Sequence, residues 1–195
     1  RQMDRPYFPL TLAQLPARVQ FEELTSMEFA VGDISIRAAF VNHPGICAGY
    51  RLEGGGVSVA YLPDHEPFYR TCGRGSHGRS PSAEAADLAR VEDERILNFV
   101  RGVDILILDS QFDPEEYESR VGWGHSSVED AVELAARAGA RRLFLFHHDP
   151  SHSDARMDQR VEHARSVAAK LNPELQVDAA QEGVQVTAQA KVLGV

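Results

Sequence analysis

Apolar and polar positions alternate in short runs through the first third of the chain. The segments 19–24, 27–31, 34–41, 49–53 and 57–62 each read as a β-strand with one buried face. Gly32-Asp33 and the Gly54-Gly55-Gly56 run punctuate them as turns, so this half reads as an antiparallel meander. Ahead of it, the first twenty residues are Pro-rich and irregular and read as a surface segment. Residues 68–82, FYRTCGRGSHGRSPS, lack apolar periodicity and read as a Gly-rich loop beside the site.

The period changes from residue 83 onward. Leu88, Val91, Ile96 and Phe99 roughly follow helical spacing, and Gly102 stops that helix. DILILDS at 104–110 and RLFLFH at 142–147 read as buried strands. Between them Ser126-Ser127 opens a helix, VEDAVELAARAGA, that Gly139 ends. A third helix covers 154–172, and two strands near LQVDAA and VQVTAQ close the chain. This order predicts an α/β fold with helices over one face of a sheet, in a single domain over 1–195 without internal repeats.

Composition narrows the class. A chain of 195 residues with 43% hydrophobic and 25% charged residues is an ordinary globular protein. Its formal charge of −9 argues against general affinity for nucleic acid, although Arg70, Arg74 and Arg79 form a local basic cluster. No apolar run is long enough to span a membrane. Two cysteines, Cys47 and Cys72, read as a reduced pair rather than a disulfide framework, which fits a cytoplasmic protein.

The candidate chemistry sits at strand ends. His43 follows IRAAFV and precedes Pro-Gly; Asp64 follows VAYLP; His125 lies in Gly-Trp-Gly-His-Ser-Ser; His147 and His148 close RLFLF ahead of Asp149, His152 and Asp154. Carboxylate and imidazole together suit zinc, manganese or iron, and strand ends hold such ligands rigidly. Each position alone has a plain alternative: a turn histidine, an Asx turn, a cap neighbour. His65 and Glu66, next to Asp64, read either as supports of the site or as loop residues. His125 is close to a helix N-terminus, whose dipole should lower its pKa.

Taken in order, these motifs resemble the metallo-β-lactamase superfamily, in its ribonuclease Z-like phosphodiesterase branch. The resemblance covers about 36–155 and rests on His43-Pro44 through Gly49-Tyr50-Arg51-Leu52-Glu53, Asp64 after its strand, Gly124-His125-Ser126-Ser127 before an Ala-rich helix, and His147 placed 22 residues after His125. It implies the second half of an αββα sandwich, with the N-terminal half of the fold missing. It implies metal ligation by His43, Asp64 and His147, with Asp64 bridging two divalent ions (zinc before manganese or iron). It further implies that a bridging hydroxide attacks phosphorus while His125 acts on the transition state or the leaving oxygen, Asp64 and His125 being the catalytic pair.

The chain departs from that family in ways that bear on function. The H-x-H-x-D-H cluster, which supplies most of the ligands, occurs nowhere in the sequence. Only 21 residues separate His43 from Asp64, too few for a tRNA-gripping arm, and HDPSHSD follows the last strand. The expected substrate is therefore a small or cyclic phosphodiester rather than tRNA. The chain alone is expected to be inactive and sticky, or a homodimer, through an uncovered sheet face. The alternatives are a catalytically silent or partner-binding chain, and a thiol-ester or lactone hydrolase on the same scaffold.

Overall fold

A computed structural model describes residues 14, 16–72 and 81–188. One seven-stranded sheet runs through them in strict sequence order: β1 Glu28–Val31, β2 Ile34–Phe40, β3 Ala48–Gly54, β4 Val57–Leu62, β5 Ile105–Asp109, β6 Arg142–Phe146 and β7 Gln176–Ala179. β1 to β4 pair antiparallel, as the meander predicts. β4 to β7 pair parallel, each step crossing through helix. The β3–β4 turn needs Gly55 and Gly56, with φ of +58° and +77°, which is the backbone of a two-residue hairpin turn.

The crossovers carry α1 Phe68–Thr71, α2 Ala83–Val100, α3 Pro114–Glu118, α4 Val128–Ala138 and α5 Asp154–Leu171. Ser127 caps α4 by accepting from the Asp130 N–H at 3.1 Å, and Gly139 ends it at φ +65°. Ala60, Leu62, Leu106, Leu108, Leu143 and Leu145 point toward the helices and form one core with Ile96, Val100, Val132 and Ala164. Alternation sends Val59, Ile107 and Phe144 to the opposite face, where with Val184 and Val186 they line a shallow depression of about 280 Å³.

Four expectations change. Residues 19–24 form no strand: Val19, Phe21 and Leu24 are exposed, and among the described residues β1 is the edge of the sheet. Residues 184–188 are likewise irregular, and Gln189 lies outside the described residues. The 68–82 loop begins with the α1 turn, whose backbone N–H groups at Phe68 and Tyr69 donate to Asp93 at 2.8 and 3.0 Å; residues 73–80 lie outside the described part. In α2 the buried stripe is Ala89, Ile96, Leu97 and Val100, whereas Leu88 and Val91 are each 63% exposed. Asp93 lies on the same side as that stripe and meets α1, while Leu88 and Val91 face outward.

Candidate metal and catalytic site

The C-terminal ends of β4, β5 and β6 are adjacent in the parallel half of the sheet, and each closes on a polar side chain: Asp64 just past β4, Asp109 at the end of β5, His147 just past β6. Crevices at that edge are the usual place for ligands in such sheets. Asp64 Oδ1 lies 3.1 Å from His147 Nε2. Asp64, His125 and His147 each offer a donor atom within 4.8 Å of the others. One carboxylate and two imidazoles form a set that fits zinc, manganese or iron. His147 has φ +58°, the one non-glycine with positive φ among the described residues, and its Nδ1 is buried without a protein partner. Backbone strain and an orphaned polar atom both cost stability, which makes His147 a candidate site position.

His43 is one ring further out. Its imidazole meets His125 edge-on with centroids 5.5 Å apart, and His125 stacks on His147 at 4.5 Å. Its Nδ1 accepts from the Gly45 N–H at 3.1 Å, which puts the proton of the neutral ring on Nε2. The three donors that converge are thus Asp64, His147 and His125, with His43 beside them. His148 turns away and pairs with the Ala180 carbonyl at 3.0 Å.

His125 is held by a residue that sequence reasoning passed over. Asp109, fully buried, lies 2.7 Å from His125 Nδ1 and also accepts backbone N–H groups of His65 and Gln111 at 3.0 Å each. A carboxylate on Nδ1 fixes the ring and leaves Nε2 for chemistry. Burial lowers the His125 pKa, but hydrogen bonding and charge from Asp109, with further charge from Asp64 and Glu66, outweigh it, so the pKa is raised. The helix-dipole expectation of a lowered value is therefore overturned, because a bonded carboxylate acts more strongly than the partial charge of α4. Asp109 closes an apolar strand as Asp64 nearly does, and that shared signal could have found it.

Glu66 is buried and accepts from Tyr117 Oη at 2.6 Å, Gly122 N at 2.6 Å and Gly124 N at 2.8 Å. It thereby ties the Asp64 loop to the loop carrying His125. A Cβ on Gly124, at φ +95°, would lie 2.4 Å from His43 Cδ2, so only glycine allows His43 and His125 to meet. His65 is buried, and its pKa is lowered to about 4 by burial and by the charge of Arg95; its carbonyl accepts from Ser126 Oγ at 2.5 Å. The Cys47 thiol donates to Asp64 Oδ2 at 3.7 Å. Arg70 is bonded to Asp130 at 2.9 Å and so is engaged within the fold; Arg74 and Arg79 lie outside the described residues.

Comparison with known proteins bears on the fold and the sequence. Residues 83–148 match the model of the beta-lactamase superfamily domain. Ribonuclease Z of Ignicoccus hospitalis is 36% identical over 74 residues, 38% of this chain and 24% of that protein. Ribonuclease Z of Lachnoclostridium phytofermentans is 26% identical over 164 residues, 71% of this chain and 54% of that protein. The metallo-β-lactamase fold protein YhfI of Bacillus subtilis superposes with a TM-score of 0.55 at 20% identity, covering 80% of this chain and 51% of that one. Zn(2+)-bound PqqB of Methylobacterium extorquens gives 0.50 at 20% identity, covering 85% and 51%. The chain spans between about a fifth and about half the length of the curated relatives it matches.

Residues 83–148 are thus similar to the beta-lactamase superfamily domain, and the fold is similar to that of metallo-β-lactamase fold proteins. Over the stretches matched, its sequence is similar to ribonuclease Z.

Proposed function

We propose that this chain supplies the second half of the active site of a metal-dependent phosphodiesterase. The observation that carries the reading is the convergence of Asp64, His125 and His147, with Asp109 behind His125. Asp64 and His147 would hold a divalent ion, zinc before manganese or iron, with Asp64 placed to bridge to a second and His43 within reach of the same cleft. A bound ion there polarises a phosphoryl oxygen and acidifies water. His125 carries a proton on Nε2, aimed by the Asp109 carboxylate on Nδ1, and gives it to the leaving oxygen. Asp109 keeps its hydrogen bond throughout and stabilises the cation until the proton leaves.

The relatives named ribonuclease Z favour a nucleic-acid type of phosphodiester. A smaller substrate rests on narrower ground: a short β3–β4 hairpin fills the interval from His43 to Asp64, and the net charge is −9. The arginine cluster weakens as an argument for it, since Arg70 is held by Asp130. With Asp64 and His147 as the converging ligands among the described residues and His125 kept for proton transfer, this chain alone should bind one ion weakly and turn over little. The test is hydrolysis of bis(4-nitrophenyl) phosphate, a cyclic nucleotide and a precursor tRNA by the complete protein with zinc or manganese. Loss on chelation and in Asp64→Ala is expected. No diester cleavage by the metal-loaded protein, with activity on a thiol ester or lactone instead, would overturn the assignment.

A further inference from the structure

We propose that Trp123 is a stacking platform for the base of a nucleotide substrate, an inference that rests on the phosphodiesterase reading above. Trp123 is the sole tryptophan of the chain and is 56% exposed, two residues before His125. An exposed indole in a loop is unremarkable by itself. What sets this one apart is how it is held. The residues on both sides are glycines at φ +82° and +95°, and their backbone N–H groups donate to the two carboxylate oxygens of buried Glu66. A third bond, from Trp123 N to the Arg120 carbonyl at 3.0 Å, closes the turn. The backbone of Trp123 is therefore fixed by a buried carboxylate that also receives the Tyr117 hydroxyl.

Such rigidity lets an aromatic ring act as a surface without paying much ordering entropy on binding. The indole meets the edge of buried Phe112, centroids 6.5 Å apart, and Phe112 in turn meets the His125 ring at 6.0 Å. The Arg120 guanidinium lies 5.0 Å above Phe112, adding a cation next to the aromatic pair. The neighbouring 43–47 turn, whose His43 and Pro44 press against Gly124, carries Ile46 at 95% exposure. An apolar, aromatic rim thus adjoins a polar floor of imidazoles and carboxylate. A ligand that matches both has a flat π-face attached to a phosphate, and base–aromatic stacking is tolerant of base identity.

The single tryptophan gives a direct readout. The chain, with zinc present, is titrated with AMP, adenosine and ribose 5-phosphate while Trp123 emission is followed. AMP and adenosine should quench, AMP at the lower concentration, and ribose 5-phosphate should not. By calorimetry, Trp123→Ala should bind AMP about five- to 150-fold more weakly. Trp123→Phe should retain most of the affinity, and ribose 5-phosphate should bind all three forms alike. Absence of quenching by AMP and adenosine, equal quenching by ribose 5-phosphate, or unchanged AMP affinity in Trp123→Ala would overturn the platform. Equal titration by AMP and adenosine would uphold the platform and remove the phosphate-directed reading on which its substrate class rests.

Discussion

Two clusters in this molecule share one chemistry. Asp64, His125 and His147 converge at the sheet edge; Asp113, Glu116 and His152 converge between α3 and α5. Both offer carboxylate and imidazole at metal-ligand spacing, but they differ in the charge that already surrounds them. The second is already occupied by cations of the protein. Arg160 is buried with Nη1 at 2.9 Å from Asp113 Oδ1 and 3.0 Å from His152 Nδ1, and Arg156 pairs with the other oxygen of Asp113. A metal ion there would meet guanidinium charge at contact distance. At the first cluster the partners of Asp64 are an imidazole and a thiol. Where the arginines lie separates a ligand set from an ion-pair network more sharply than the count of donors does.

The comparison breaks most visibly in turnover. In the complete protein, His125→Ala should lower kcat about 100- to 10,000-fold, the usual contribution of a positioned acid, with metal content unchanged by atomic emission. Asp109→Asn should cost about ten- to a hundredfold through loss of ring orientation. If His125→Ala instead strips metal, the imidazole is a ligand and the proton-transfer role goes to another group.

Stability should respond at the other cluster. Arg160→Met leaves Asp113 buried without its central partner and frees the Ser110 carbonyl that Arg160 Nη2 contacts. Breaking a buried pair in this way costs about 3–5 kcal/mol, read as a lower urea midpoint. Asp64→Ala should shift the midpoint far less. Equal destabilisation by both substitutions would erase the distinction between a structural cluster and a functional one.

Much of this was legible because the sequence marks it locally. Turn glycines frame β2, β3 and β4; Ser127 and Gly139 bracket α4; and apolar strands end at Asp64 and His147. The remainder depends on tertiary neighbours. Residues 19–24 have the alternation of a strand but pair with no strand among the described residues. The buried face of α2 includes Asp93, which bonds α1, and a polar residue on that face is hidden from a reading of apolar periodicity. The direction of the His125 shift follows from Asp109, 16 residues away in sequence, and the second cluster's character follows from arginines on α5. Charge environments are long-range, and single residues in a motif do not show them.

The smallest expected effect tests the brace between the two loops of the site. Glu66 offers two anionic oxygens to three donors, Tyr117 Oη, Gly122 N and Gly124 N. Glu66→Gln keeps the shape but turns one oxygen into an NH2 that faces a donor. At least one short hydrogen bond is lost and one backbone N–H is left buried, worth about 1–3 kcal/mol. The 122–125 loop should loosen rather than unfold, shifting His125 relative to Asp64. A displacement of that order should cost about ten- to a hundredfold in kcat, mostly at the low end, with metal content unchanged. Trp123 emission should red-shift and its anisotropy should fall as the indole gains freedom. Unaltered kcat together with unaltered anisotropy would show that the loop holds its shape without Glu66, and the rigidity attributed to it would then have to come from the glycine backbone alone.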